Sequence, residues 1–310
     1  MKRLLCLLII CGLLSGCTGE TKAQETHFVM DTVMDLQLWG ADAHTGCDRI
    51  KTMLNELEQD WSATNEASVL SLLNRGEEVL LDEQQKALLE GVEQLSERTG
   101  GAFDPTMGAV SRVWGFYDQQ YRVPMELEIS TAMSQELWDL GAALKGYAGD
   151  RAVEIMKQLD IDRAVLNFGG NVQTYGSKPG GERWQIGIQN PDGSGSLGII
   201  SVEGTMSIVT SGDYQRYFEQ GGVRYHHILD PETGYPAASG LRSVTVICRD
   251  GLTADALSTA LFVMGLEQAT AFWRQSADFE AVFVLRSGQV YATEGASLSG
   301  CEFEVISREK

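Results

Sequence analysis

Asp255 and Thr259 stand four positions apart in the apolar run Ala254–Met264, whose periodicity is helical, so a carboxylate and a hydroxyl oxygen share one face near its first turns. Hard oxygens that close together suit Mg2+, which takes few protein ligands and completes its octahedron with water and phosphate oxygens. The same pair also reads as an N-cap aspartate and a half-buried threonine. Lys145-Gly146-Tyr147, following Asp139-Leu140-Gly141, places glycines and a cation at a helix start. Free N–H groups and the positive helix end there suit a phosphate. His226 and His227 are two of four histidines. Adjacent residues of an extended segment point to opposite faces, so the two cannot serve one site, and a core-facing histidine is structural. An imidazole at its ordinary pKa of about 6.5 exchanges a proton near neutral pH.

Three further loops carry polar groups where chemistry or a turn would use them. Asn167-Phe168-Gly169-Gly170-Asn171 follows the apolar strand Ala164–Leu166, and its glycines either let a ligand approach the backbone or close a hairpin. Thr210-Ser211-Gly212-Asp213-Tyr214 ends another strand, with side chains that contact a ligand or cap a helix. Gly101-Ala102-Phe103-Asp104-Pro105-Thr106-Met107-Gly108 reads first as a proline turn.

The elements that must position these groups alternate irregularly between helix and strand patterns, which argues for an α+β fold with mixed or antiparallel sheets over a doubly wound one. Met34, Leu36 and Leu38 alternate with polar residues as a strand. Ile50, Met53, Leu54, Leu57 and Trp61 share a helical face, as do Ala148, Ala152, Ile155, Met156 and Leu159 on a helix that starts near Lys145. Asp82 and Gln85 form a capping box for a helix burying Leu88, Val92 and Leu95 and stopping at Gly100-Gly101. Short β-rich runs follow at Ala164–Leu166, Trp184–Ile188, Leu197–Val202, Ser207–Thr210, Val244–Ile247 and Ala281–Leu285, interrupted by the helix Ala254–Met264 that Gly265 closes.

Lys2 and Arg3 precede an uncharged apolar run, Leu4–Leu14, and then Ser15-Gly16-Cys17. The run is too short to span a bilayer and fits an export signal. Leu14-Ser15-Gly16-Cys17 resembles a bacterial lipobox, which implies cleavage after residue 16 and a lipid on Cys17. The expected organisation is a signal peptide over 1–16, a lipidated tether over 17–27 and one catalytic domain over 28–310, lipid-anchored outside the cytoplasm in a bacterial cell envelope. The formal net charge of −19 disfavours nucleic acid and anionic lipid as partners and makes a bound divalent cation plausible beside a phosphorylated cofactor. Beyond the signal and Cys17, only Cys47, Cys248 and Cys301 remain, too widely spaced for a C-x-x-C metal site and sufficient for one disulfide at most.

Met30-Asp31-Thr32, Asp60-Trp61-Ser62, Ser68 to Asn74, Phe103-Asp104-Pro105-Thr106, Trp114-Gly115-Phe116, Asp139 to Asp150, Gly169-Gly170, Thr210 to Tyr214, His226 to Gly234 and Ala254 to Thr259 occur in this order between about Phe28 and Gly265. Together they resemble the ApbE-like family of FAD:protein FMN transferases, formerly called thiamine biosynthesis lipoproteins. The resemblance implies a T-fold-related α+β fold with FAD in a cleft between two intimately packed halves. It implies Mg2+ on Asp255, Thr259 and a main-chain carbonyl of the Gly141–Lys145 segment, assigned to Leu144. It makes His227 the catalytic base and Met30, Ser68, Asp104, Thr106, Lys145, Gly170, Ser211 and Asp213 the lining of the flavin nucleotide. The implied reaction splits FAD and joins FMN to a threonine or serine of an acceptor protein, a membrane or extracytoplasmic redox protein, releasing AMP. With water as acceptor the same site would be an FAD pyrophosphatase, and without chemistry an FAD-binding lipoprotein. The chain departs from the family at Asp31, where many members have glycine, and at Leu144, where many have alanine.

Overall fold

The computed structural model describes residues 21–309, so the signal over 1–16 and Cys17 lie outside the described residues. The chain opens with a hairpin of β1 (Lys22–Val29) and β2 (Thr32–Trp39), paired from Lys22 with Trp39 to Val29 with Thr32. The stretch expected as a tether over 17–27 is therefore strand from Lys22 onward, and Ala23 is already in the core. Met30 and Asp31 make the turn, both with positive φ, at 53° and 56°. A two-residue turn of that shape favours glycine, asparagine or aspartate, which is why Asp31 is tolerated where a glycine is usual.

Helices α1 (Ala43–Trp61), α2 (Val69–Asn74), α3 (Glu83–Arg98), α4 (Gly108–Val113), α5 (Glu126–Met133) and α6 (Leu144–Lys157) follow. The α1 face expected from sequence is buried, and it packs with Ala148, Ala152 and Met156 of α6 on Met34, Leu36 and Leu38 of β2. Burying one such leucine is worth about 1.5–3 kcal/mol, so these faces hold the helices on the sheet more than helix propensity does. Asp82 caps α3 through the N–H groups of Gln84 and Gln85, while the Gln85 side chain returns to the Asp82 N–H, which completes the capping box.

Strands then dominate: β3 (Arg163–Phe168), β4 (Asn171–Tyr175), β5 (Trp184–Gln189), β6 (Ser196–Val202), β7 (Met206–Gly212), β8 (Tyr217–Gln220), β9 (Val223–His226) and β10 (Leu241–Cys248). Helix α7 (Gly251–Arg274) is broken at Gly265, whose φ of 73° stops the first segment where the sequence predicts before helix resumes. The chain ends with β11 (Phe279–Leu285), β12 (Val290–Thr293), β13 (Leu298–Ser299) and β14 (Glu304–Ile306).

One nine-stranded sheet, in the order β1-β2-β3-β4-β7-β10-β11-β12-β14, runs through both halves of the molecule. Its neighbours are antiparallel except β12 and β14. Alternation along the strands divides its two faces. One buries Ala164 and Leu166 under α1 and α6, and Val244 and Val246 under α7. The other packs Val165, Ile208, Ile247 and Val282 on Trp184, Ile186 and Ile200 of the small β13-β6-β5 sheet. Cys47 and Cys248 are buried free thiols, with burial pushing each up to about 12, and Cys301 is also unpaired.

Helices α6 and α7 cross at their N-termini, and the crossing is held by reciprocal capping. Asp150 of α6 accepts from the N–H groups of Gly251 and Leu252 at 2.7 and 2.8 Å, while Asp255 of α7 accepts from the Gly146 N–H at 2.9 Å. The backbones touch: a Cβ at Gly146 would lie 2.0 Å from the Gly251 carbonyl oxygen and 2.7 Å from the Asp255 Cβ. Gly146→Ala should therefore destabilise the fold by about 1–3 kcal/mol, read as a lower urea midpoint at unchanged m-value, and an unchanged midpoint would contradict this close approach. Burial, reinforced by the nearby Asp250 carboxylate, pushes Asp150 up to about 7 against its two N–H donors. A carboxyl raised in the folded state contributes stability below its unfolded pKa of about 4, lost as pH rises through about 7. The stability of the wild type relative to Asp150→Asn should fall between pH 4 and 7, and a pH-independent difference in urea unfolding would show that Asp150 does not titrate there.

Candidate active site

The N-terminus of α6, the first turns of α7 and the end of β7 bring together Lys145, Asp255, Thr259 and Ser211, all singled out in the sequence. Lys145 Nζ lies 3.3 Å from the Gly141 carbonyl oxygen and 4.0 Å from Asp255 Oδ2, so an ammonium already sits between a carbonyl and a carboxylate. Asp255 is only 3% exposed, and the Gly146 N–H fixes its Oδ2. On the α7 face, Thr259 Oγ1 is 3.2 Å from Ser211 Oγ, which is 2.7 Å from Ser258 Oγ. The Ser258 hydroxyl also reaches the Asp255 carbonyl at 2.8 Å. Ser258 was missed in the sequence, although its place three residues after Asp255 is a signal for the same helix face.

The adjacent histidines separate as expected. His226 is 1% exposed, packs edge-on against Phe262 and is driven by burial down to about 4, with no hydrogen-bond partner at Nδ1. His227 lies on the other side, its ring 6.4 Å from Phe116 and its Nδ1 3.2 Å from the Arg216 carbonyl. Desolvation first, then the charges of Arg216 and Lys145, push it down to about 3, so it is neutral at physiological pH. A carbonyl only accepts, so Nδ1 carries the proton and the Nε2 lone pair is free.

The loops around this cluster are tied together. Asp104 Oδ1 accepts from the Thr106 N–H at 2.8 Å and its hydroxyl at 2.6 Å. The Pro105 carbonyl receives the Asp139 N–H at 2.7 Å and the Thr106 carbonyl the Leu137 N–H at 3.2 Å, which bind the Asp104–Thr106 loop to the segment leading into α6. Asn74 grips both sides of Trp138, its amide donating to the carbonyl and accepting from the N–H. Gly170 is exposed at φ 101°, its N–H held by Asn167 Oδ1 and the space beside it open, so its backbone is approachable. Met30 is half-buried and donates its N–H to Glu58 at 2.9 Å.

Three of the expected site residues are engaged within the protein itself. Ser68 is 1% exposed, and its hydroxyl accepts from the Ser71 N–H as the α2 N-cap and donates to the Ser62 carbonyl, so it shapes the loop. Asp213 is 2% exposed and paired with Arg242 at 2.9 Å, which in turn holds Asp192 and the Pro191 carbonyl; the carboxylate joins β7 to the loop before β6. Burial still raises its pKa against three arginines. The carbonyl beside the Lys145 ammonium is that of Gly141, while Leu144, the expected main-chain ligand, opens α6. None of these roles is visible in a motif, because a cap, an ion pair and a ligand use the same residue types.

The donor set fits a hard cation. No three His, Cys, Asp or Glu side chains cluster as a metal site among the described residues, so no protein cage is present. One carboxylate, one hydroxyl and one carbonyl, with phosphate and water completing the shell, match how Mg2+ binds and leave softer metals without their preferred ligands.

A family model described as the ApbE family matches residues 30–283. The FAD:protein FMN transferase of Treponema pallidum is 31% identical over 93% of this chain and 91% of its own. That of Haemophilus influenzae is 29% identical over 81% of each chain. Among solved structures, the ApbE protein of Thermotoga maritima superposes with a TM-score of 0.82 at 33% identity, covering 88% of this chain and 97% of that one. The flavin transferase ApbE of Vibrio cholerae superposes at 0.76 with 26% identity, over 89% and 98%. With the family model matching residues 30–283 and the solved ApbE protein superposing over most of the length, this chain belongs to the ApbE family.

Proposed function

We propose that the protein is a magnesium-dependent flavin transferase that splits FAD and attaches FMN by a phosphoester bond to a threonine or serine of an acceptor protein. The observation that carries this reading is the Lys145 ammonium held between the Gly141 carbonyl and the Asp255 carboxylate where two helix N-termini converge. The activity named for the Treponema pallidum and Haemophilus influenzae relatives supports it.

In this reading the N-terminus of α6 and Lys145 orient the diphosphate of FAD through backbone dipoles and a point charge. Asp255, Thr259 and the Gly141 carbonyl would hold Mg2+, which supplies neutralisation of the diphosphate charge when bound. The acceptor hydroxyl oxygen forms a bond to the FMN-side phosphorus as the bond from that phosphorus to the bridging oxygen breaks, and AMP carries that oxygen away. Nε2 of His227 takes the hydroxyl proton, and the incoming diphosphate charge raises its basicity from the low value of the free site. Ser211 and Ser258 hold Thr259 in place. Such a reaction depends on alignment and charge more than on covalent help from the enzyme.

The setting follows from the N-terminus. The basic and apolar leader ending at Cys17 supports export and lipid anchoring in a bacterial envelope, and the acceptor is then a membrane or extracytoplasmic redox protein. No described helix is long and apolar enough to cross a membrane.

Asp255→Ala should lower Mg2+-dependent AMP release from FAD by at least about a hundredfold, and full activity in that variant would remove the metal assignment. His227→Gln should cost about 10²- to 10⁴-fold in kcat. Because His227 of the free enzyme is neutral above about pH 3, the wild-type kcat/KM should show no acid limb between pH 8 and 5; a limb at about 6.5, the ordinary value, would contradict the neutral imidazole.

A further inference from the structure

We propose that Tyr117 is a positioning residue for this reaction, acting through Asp139 to fix the Gly141 carbonyl beside the Lys145–Asp255 cluster. The Tyr117 hydroxyl donates to Asp139 Oδ2 at 2.8 Å, and Asp139 Oδ1 accepts from the Gly141 N–H at 2.9 Å. The Gly141 carbonyl meets Lys145 Nζ at 3.3 Å, and that ammonium stands 4.0 Å from Asp255. Each oxygen of Asp139 is thus occupied, and its own N–H is tied to the Pro105 carbonyl.

Tyr117 follows directly on Trp114-Gly115-Phe116, whose Phe116 packs against the His227 ring. Trp114 is fully buried and donates from its indole to the Gly234 carbonyl at 2.8 Å, which gives the tyrosine a rigid base. Burial and the neighbouring Asp139 carboxylate hold the phenol well above its usual range, so it stays a donor at any working pH. A glycine peptide is among the softest of backbone units, and Gly141 is exposed. Without the phenol, the Asp139 carboxylate loses the partner that stops it turning, the Leu140–Gly141 peptide loses its anchor, and the Gly141 carbonyl in the next peptide turns with it. A misdirected carbonyl weakens a cation site whose remaining protein donors are one carboxylate and one hydroxyl.

The inference rests on the magnesium reading above, and its test separates the two. Mn2+, a paramagnetic stand-in that accepts the same oxygen donors, is titrated into the full-length chain in detergent and followed by electron paramagnetic resonance, and Mg2+ dependence of AMP release is measured alongside. Tyr117→Phe should weaken Mn2+ binding about tenfold, at the low end for partners of metal ligands. It should raise half-saturating Mg2+ by a similar factor while kcat at saturating Mg2+ changes by less than about twofold. Asp139→Asn, which keeps the tyrosine, should weaken Mn2+ at least as much and serves if Tyr117→Phe loses its near-ultraviolet circular dichroism. Wild-type Mn2+ affinity in both variants would overturn the positioning role and leave the magnesium reading intact. Equal Mn2+ binding by the wild type and Asp255→Ala would overturn both.

Discussion

The site depends on the contact of two helix N-termini at Gly146 and Gly251. Each N-terminus leaves unpaired N–H groups, and bringing two together is unfavourable unless side-chain acceptors intervene. Asp150 and Asp255 intervene in opposite senses, each on one helix and capping the other. Only glycines allow the backbones to come this close. The two caps differ in what lies beyond them. Asp150 is closed in beside Asp250, whereas Asp255 keeps Lys145, Thr259 and Ser211 within reach. One crossing therefore yields a structural cap on one side and, on the other, the Asp255–Thr259 face where we propose the cation.

This arrangement also accounts for phosphate recognition by a strongly acidic chain. The net charge of −19 gives no general attraction for a diphosphate. Local positive potential comes instead from helix ends and from Lys145, while desolvation and then Arg216 keep His227 uncharged. Field and base are set by burial and backbone direction, which are short-range properties and survive a negative surface.

Much of this was legible in the sequence. The four-residue spacing of Asp255 and Thr259, the helix start at Lys145, the Asp82–Gln85 box and the alternation that splits His226 from His227 are local periodic signals, and the structure places these elements accordingly. What was not legible depends on long-range pairing. β1 is a polar edge strand whose existence comes from its register with β2, so Lys22 to His27 read as tether. Ser68 and Asp213 sit in the right motifs but spend their side chains on a cap and an ion pair, and only the fold decides between cap and ligand. Likewise the contact of Lys145 with the Gly141 carbonyl turns on backbone direction, which side-chain identity does not encode.

The most direct measurement of the central claim is the intact mass of an acceptor, a peptide carrying one threonine, incubated with the full-length chain, FAD and Mg2+ while AMP is followed in the same reaction. The expected result is an acceptor heavier by one FMN with one AMP formed per label. AMP and free FMN without any labelled acceptor, across acceptors drawn from extracytoplasmic redox proteins, would contradict transfer and identify a hydrolase.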